Sequence, residues 1–153
     1  AYHGTIRLLQ TGQRRLEVKI PAGVDNGSRV RVAGEGESVG PNGRSGDLYL
    51  VIHVLDKPGF QRTGDDLHIR VPVSIYTLLL GGEVSFETLK GRLSLKIPEE
   101  TPSGREFRLK GQGMPILKRP GQFGDLYVQV EAVLPKNLTE EEKKLIMRDL
   151  EEI

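Results

Sequence analysis

Cysteine and tryptophan are both absent from this 153-residue chain. Without cysteine there can be no disulfide framework, no thiolate zinc cluster and no thiol nucleophile. That suits a reducing compartment, and a cytoplasmic location is the expectation. Neither sign of charge dominates, since 22 Lys and Arg face 21 Asp and Glu for a formal net charge of +1. A chain so balanced does not bind nucleic acid or a membrane surface by bulk electrostatics. No apolar run approaches the ~18 residues that would cross a bilayer, and the first residues have no secretory signal pattern. The three histidines, His3, His53 and His68, lack metal-ligand spacing, so neither a metal nor a cofactor is expected. Ala1 enters directly into patterned sequence, which predicts that the chain is a piece of a longer one.

What is present is a repeat. Val18 to Gly36 reads VKIPAGVDNGSRVRVAGEG and Leu95 to Gly113 reads LKIPEETPSGREFRLKGQG. At an offset of 77, Lys19/Lys96, Ile20/Ile97, Pro21/Pro98, Gly27/Gly104, Arg31/Arg108, Gly34/Gly111 and Gly36/Gly113 are identical. One residue further out of step, at 78, Gly46-Asp47-Leu48-Tyr49 matches Gly124-Asp125-Leu126-Tyr127. Two units are too few for a solenoid and indicate two similar small domains in tandem.

Each unit reads as β. Leu16, Val18 and Ile20 alternate with Arg15, Glu17 and Lys19, and Leu93, Leu95 and Ile97 alternate with polar partners. That period of two sends one face of a strand to a core and the other to water. Leu48–Leu55 and Leu126–Val133 are apolar on both phases for part of their length, which predicts more central strands. Pro21 and Pro98 should end strands, with turns at Asp25-Asn26-Gly27 and Pro102-Ser103-Gly104. Val39–Ser45 and Lys118–Phe123 read as matching loops, and Leu78-Leu79-Leu80-Gly81-Gly82 as a short helical turn with a glycine stop. On the first strand Ile6 and Leu8 are expected to face a core, leaving Leu9 and Thr11 pointing the other way beside Arg7. Only the end is strongly helical. Thr139 and Glu142 form a capping box, and Ile146, Leu150 and Ile153, with Leu145 and Met147 beside them, form an apolar stripe.

Catalytic signals are weak. Asp65, Asp66 and His68 stand close together and would serve a hydrolase, but a turn after Gly64 accounts for the aspartates equally well. Gly34-Glu35-Gly36 and Gly111-Gln112-Gly113 follow strands without opening helices, so they read as turns and not as a phosphate cradle. More telling is the apolar content of the first strand and of Leu48–Ile52. A unit of ~60–70 residues does not easily cover both faces of such strands: either these are ordinary core residues or they line an exposed apolar groove, and such a patch usually marks a binding site.

The run from Gly4 and Arg7 through VKIPAGVDNGSRVRVAGEG, GDLYLVIHV, KPGFQRTGDDL and LKIPEETPSG to RLKGQGMP and GDLYVQV resembles the C-terminal region of DnaJ-type J-domain co-chaperones. It is similar to the class lacking zinc, which includes the curved-DNA-binding relative of DnaJ. The resemblance implies a mainly β fold of two tandem β-sandwich-like domains followed by a C-terminal helix. The divisions are then residues 1–64 (a client-binding domain whose family opens with a further strand), 65–137, and 138–153 as a dimerisation helix. Neither the J-domain nor the zinc-finger cysteines of other members are in this sequence.

Carried onto matching positions, the resemblance implies a client groove with Leu9, Thr11 and Leu50, and a contact to acidic peptides at Arg7. A second client face would lie around Phe86 and Leu126. Leu145, Ile146, Leu150 and Ile153 would join two copies as a homodimer. The implied function is non-enzymatic: binding of exposed hydrophobic segments of unfolded proteins and their delivery to a DnaK-type ATPase. Other classes are a β module that assembles with one fixed partner, and a β-sandwich hydrolase. DNA binding would call on Arg14, Arg15, Arg29 and Arg31.

Overall fold

Alternating apolar residues set where the strands of this computed structural model begin, and proline sets where two of them end. The structure describes residues 1–11, 14–33, 38–39, 44–55 and 57–151, and for 11, 14, 38–39 and 44–45 the backbone only. The glycines at 34 and 36, most of the 39–45 loop and Ile153 therefore lie outside the described side chains. Strands β1 (Thr5–Thr11) and β2 (Arg14–Ile20) form an antiparallel pair, and β2 stops before Pro21. Strands β3 (Arg29–Val32) and β6 (Leu48–Val51) pair antiparallel, with the two-residue strands β4 (Ser38–Val39) and β5 (Arg44–Ser45) between them.

After these come β7 (Phe60–Thr63), β8 (Asp66–Ser74), helix α1 (Ile75–Leu80), β9 (Gly82–Thr88), β10 (Gly91–Ile97), β11 (Glu106–Leu109) and β12 (Leu126–Val133). A four-stranded sheet runs in the order β11-β12-β8-β7, and β9 pairs with β10. The chain closes with helix α2 (Glu140–Glu151). The fold is mainly β, with several sheets and a C-terminal helix, as the sequence implied.

The repeat is structural. The residues of β1, β2 and β3 recur as β9, β10 and β11 at the offset of 77. Their tethers recur as well. Gly27 N–H donates to Ile52 O at 2.9 Å, and Gly104 N–H to Val130 O at 2.7 Å. Both glycines hold positive φ, 83° and 92°, a conformation costly for any residue with a Cβ. Asn26 Oδ1 accepts from Val54 N–H, as Ser103 Oγ accepts from Ala132 N–H. Arg31 Nε donates to Asp47 at 2.6 Å, as Arg108 Nε does to Asp125 at 2.7 Å.

The chain divides into two compact units. One is Ala1–Arg70 with Thr88–Lys90 and Phe107–Val128; the other is Val71–Glu87 with Gly91–Glu106 and Gln129–Ile153. The interior of the first holds Val18, Val24, Leu67, Ile69, Met114, Leu126 and Val128, and that of the second Val71, Val73, Leu78, Leu95, Ile97 and Val130. Along β8 every second residue from Leu67 to Val73 is buried, the signature of a strand with one face in a core. The long apolar strand β12 is central in its sheet, as expected. Its counterpart β6 is shorter than the apolar run that contains it and has β3 as its one neighbour among the described residues.

Candidate functional site

The β1–β2 register places Leu9 opposite Leu16, Arg7 opposite Val18 and Thr11 opposite Arg14. Val18 is buried, Leu9 and Leu16 are half-buried, and Arg7 is exposed. The more buried phase is therefore that of Leu9, which itself remains half-open, and the expectation for Ile6 and Leu8 is overturned: they are 58% and 72% exposed. Cross-strand pairing decides this. Ile6 faces Lys19 and Leu8 faces Glu17, so on this side of the hairpin both stand opposite charged residues of β2. An apolar pair among charged neighbours stays in water unless something covers it.

In the β3–β6 pair, Leu50 faces Val30 and Leu48 faces Val32, all four half-buried. Tyr49 and Val51 line the other face opposite Arg31 and Arg29 and are exposed. Leu9 and Leu50 thus sit in two different two-stranded sheets. In the second repeat, the expected face around Leu126 does not exist as a surface, because Leu126 is 0% exposed. Phe86, which the repeat aligns with Leu9, is half-buried.

An apolar pocket of about 190 Å³ opens within the first unit. Tyr2, Val54, Leu55, Phe60, Leu67 and Met114 line it. Leu55 stands 91% exposed at its mouth, while Leu67 and Met114 form its buried floor. Lys57 places its Nζ 5.6 Å from the centre of the Phe60 ring, so a cation sits over the aromatic wall. Arg62, from the same hairpin, is engaged elsewhere. It donates to Gly23 O at 2.9 Å and to Gly64 O at 2.8 Å, and so ties β7 to the turn after β2. Tyr2 is the polar member. Its hydroxyl is buried with no hydrogen-bond partner among the described residues, and burial raises its pKa. Sequence reasoning missed this pocket because the DKPGF segment reads as a linker. The available signal was an aromatic placed there in a chain with only 5% aromatic residues.

Asp65, Asp66 and His68 do not form a catalytic cluster. Asp66 Oδ1 accepts from Asp125 N–H at 2.8 Å, and the His68 ring stacks on Tyr127 with centroids 5.0 Å apart. Asp125 is held below the ordinary aspartate range, first by Gly111 N–H and then by Arg108, whose own pKa is raised by the same pair. These contacts give the cluster an architectural use. No group of three or more metal-ligating side chains gathers among the described residues, and no described helix is long and apolar enough to cross a membrane.

Helix α2 begins with the capping box read from sequence. Glu142 N–H donates to Thr139 Oγ1 at 3.1 Å, and Thr139 N–H to Glu142 Oε1 at 3.3 Å. None of its residues is buried. Leu145, Ile146, Met147 and Leu150 all stand in the open.

A family model described as the DnaJ C terminal domain matches residues 1–135. Among similar proteins, the "Chaperone protein DnaJ" of a Chelativorans species is 47% identical over 137 residues, covering 89% of this chain and 36% of the relative. The "Chaperone protein DnaJ 2" of Aromatoleum aromaticum is 50% identical over 141 residues, 92% of this chain and 37% of its own length. The "Chaperone protein DnaJ" of Brucella anthropi is 44% identical over 145 residues, 94% and 38% respectively. The chain thus spans less than two fifths of the length of these relatives.

Proposed function

The chain belongs to the DnaJ C terminal domain family, and on that premise we propose that it is a non-enzymatic chaperone module that captures exposed apolar segments of unfolded proteins. The observation that carries this reading is the open apolar pocket walled by Phe60 and Leu55 above Leu67 and Met114. A side chain that leaves water for such a site contributes about 1.5–3 kcal/mol. A few such contacts, less the cost of ordering the peptide, give roughly micromolar affinity. Binding of that strength releases readily, which suits handover to a DnaK-type ATPase in the full-length cytoplasmic protein.

Leu9, Thr11 and Leu50 are the further client contacts of this reading, with Arg7 meeting acidic peptide residues. Residues 1–64 are taken as the client-binding domain, 65–137 as its repeat, and 138–153 as the element that joins two copies. In support of pairing, α2 keeps its apolar stripe uncovered, and a helix of ~12 residues is marginal without a partner.

Suppression of the aggregation of a denatured model client, followed by light scattering, tests capture. Leu55→Asp should remove most of the suppression, and Leu9→Asp with Leu50→Asp should do so together, while circular dichroism keeps the strand signal. Full suppression by all these variants would reject the assignment. Sedimentation tests pairing: removal of residues 139–153 should leave a monomer, and a dimer that survives would place the interface elsewhere.

A further inference from the structure

The tip of a β-hairpin ordinarily faces water and is held by its own turn chemistry. The tip between β9 and β10 departs from this. Leu89 is half-buried and forms part of the wall of the pocket beside Phe60, and Thr88 just before it is buried. The two residues of the turn are Leu89 and Lys90, where Asn-Gly or Asp-Gly would set the chain by backbone preference alone. Only Gly91, at φ 135°, carries such freedom. Contacts outside the turn therefore have to place Leu89.

Lys90 supplies two of them. Its Nζ donates to Gly111 O at 3.1 Å and stands 3.6 Å from the centre of the Phe123 ring. Both contacts depend on the positive charge. Both partners belong, with Thr88–Lys90, to the unit that holds the pocket, and both are fixed in it. Gly111 N–H donates to Asp125 Oδ1 at 3.1 Å. Beside Phe123, Gly124 N–H donates at 2.9 Å to the carbonyl of Met114, the buried floor of the pocket. The Phe123 ring also lies 6.1 Å from the ring of Tyr2, another wall residue. One ammonium thus ties the Leu89 turn to the frame that carries the floor and a second wall. Lys90 does not line the pocket itself, so its influence on an occupant passes through Leu89.

We infer that Lys90 is a positioning residue of the capture pocket, its charge holding Leu89 as a wall against which an apolar client side chain packs. The inference rests on the capture reading and adds to it the group that keeps the pocket in shape. When the two contacts of the ammonium are lost, Leu89 leaves the wall and the client side chain loses packing on that side.

A fluorescein-labelled unfolded peptide, with leucine as its one large apolar residue, tests this by anisotropy titration. Lys90→Met keeps the apolar stem without the charge, and should bind the peptide about three- to tenfold more weakly than the unaltered chain. Lys90→Arg keeps the charge and should bind within about twofold of the unaltered chain. Leu89→Ala should also weaken binding, and adding Lys90→Met to it should cost little more. A general loosening of the fold would still add in the Leu89→Ala background, so this comparison separates it from positioning. Equal affinities for the unaltered chain and Lys90→Met would overturn the inference while leaving capture in place. Binding by Lys90→Arg as weak as by Lys90→Met would overturn the role of the charge. Fully additive losses in the double variant would overturn action through Leu89. Absence of binding by the unaltered chain at any reachable concentration would overturn capture and positioning together.

Discussion

Asp125 shows how a single side chain holds a corner of the fold. Its carboxylate accepts from Gly111 N–H and from Arg108, while its own N–H is held by Asp66. Because the folded-state pKa is lowered, the associated stability is fully present above the ordinary aspartate pKa of about 3.9 and is lost as pH falls through the lower folded value. Asp125→Asn should lower the urea midpoint at neutral pH, and its deficit against the unaltered chain should shrink as the pH drops below about 4. A deficit independent of pH would assign the loss to geometry and not to charge. Gly23 makes a different demand. Its φ is 93° and a Cβ there would lie 2.9 Å from Leu117 N, whereas a Cβ at Gly27, at φ 83°, would meet nothing. Gly23→Ala should therefore cost more than about 2 kcal/mol, and Gly27→Ala about 1 kcal/mol, by chemical denaturation. Sequence spacing marked Gly27 as a turn. It gave no sign of Gly23, because the close approach of residues 115–117 is a long-range contact that no local pattern encodes.

At the scale of elements, what local chemistry determines was legible. The capping box at Thr139 and Glu142 formed as read, Pro21 and Pro98 ended β2 and β10, and the apolar turn before Gly81 became α1. Thr139→Ala should cost the helix about 1 kcal/mol, visible as lower helicity by circular dichroism with the strand signal unchanged. The face of β1 was less legible. Ile6 and Leu8 are as apolar as Leu9, so residue types alone could not choose the buried phase. The register with β2 chose it, since Val18 stands on the side of Arg7 and Leu9. The pocket escaped for the same reason: Tyr2, Phe60 and Met114 are far apart in sequence, and only folding brings them to one wall.

The molecule as a whole is a repeat whose halves differ in how their strands are partnered. β12 lies between β11 and β8, while its counterpart β6 is paired with β3 alone among the described residues. Val128 is also buried where Leu50 is half-buried, although the repeat aligns them. Two-stranded sheets are marginal by themselves, so stability should be unevenly spread. Amide exchange should be slowest at Ile69, Val71 and Val128, and at least about tenfold faster along β3 and β6. Uniform protection would contradict that gradient.

The bare surface of α2 has a consequence for engineering and for evolution. None of the residues Glu140–Glu151 is buried, so under the proposed pairing role they would form an exchangeable coupling. Another association motif grafted after Leu138 would then set how many proposed capture sites act on one long polypeptide, leaving the strength of each unchanged.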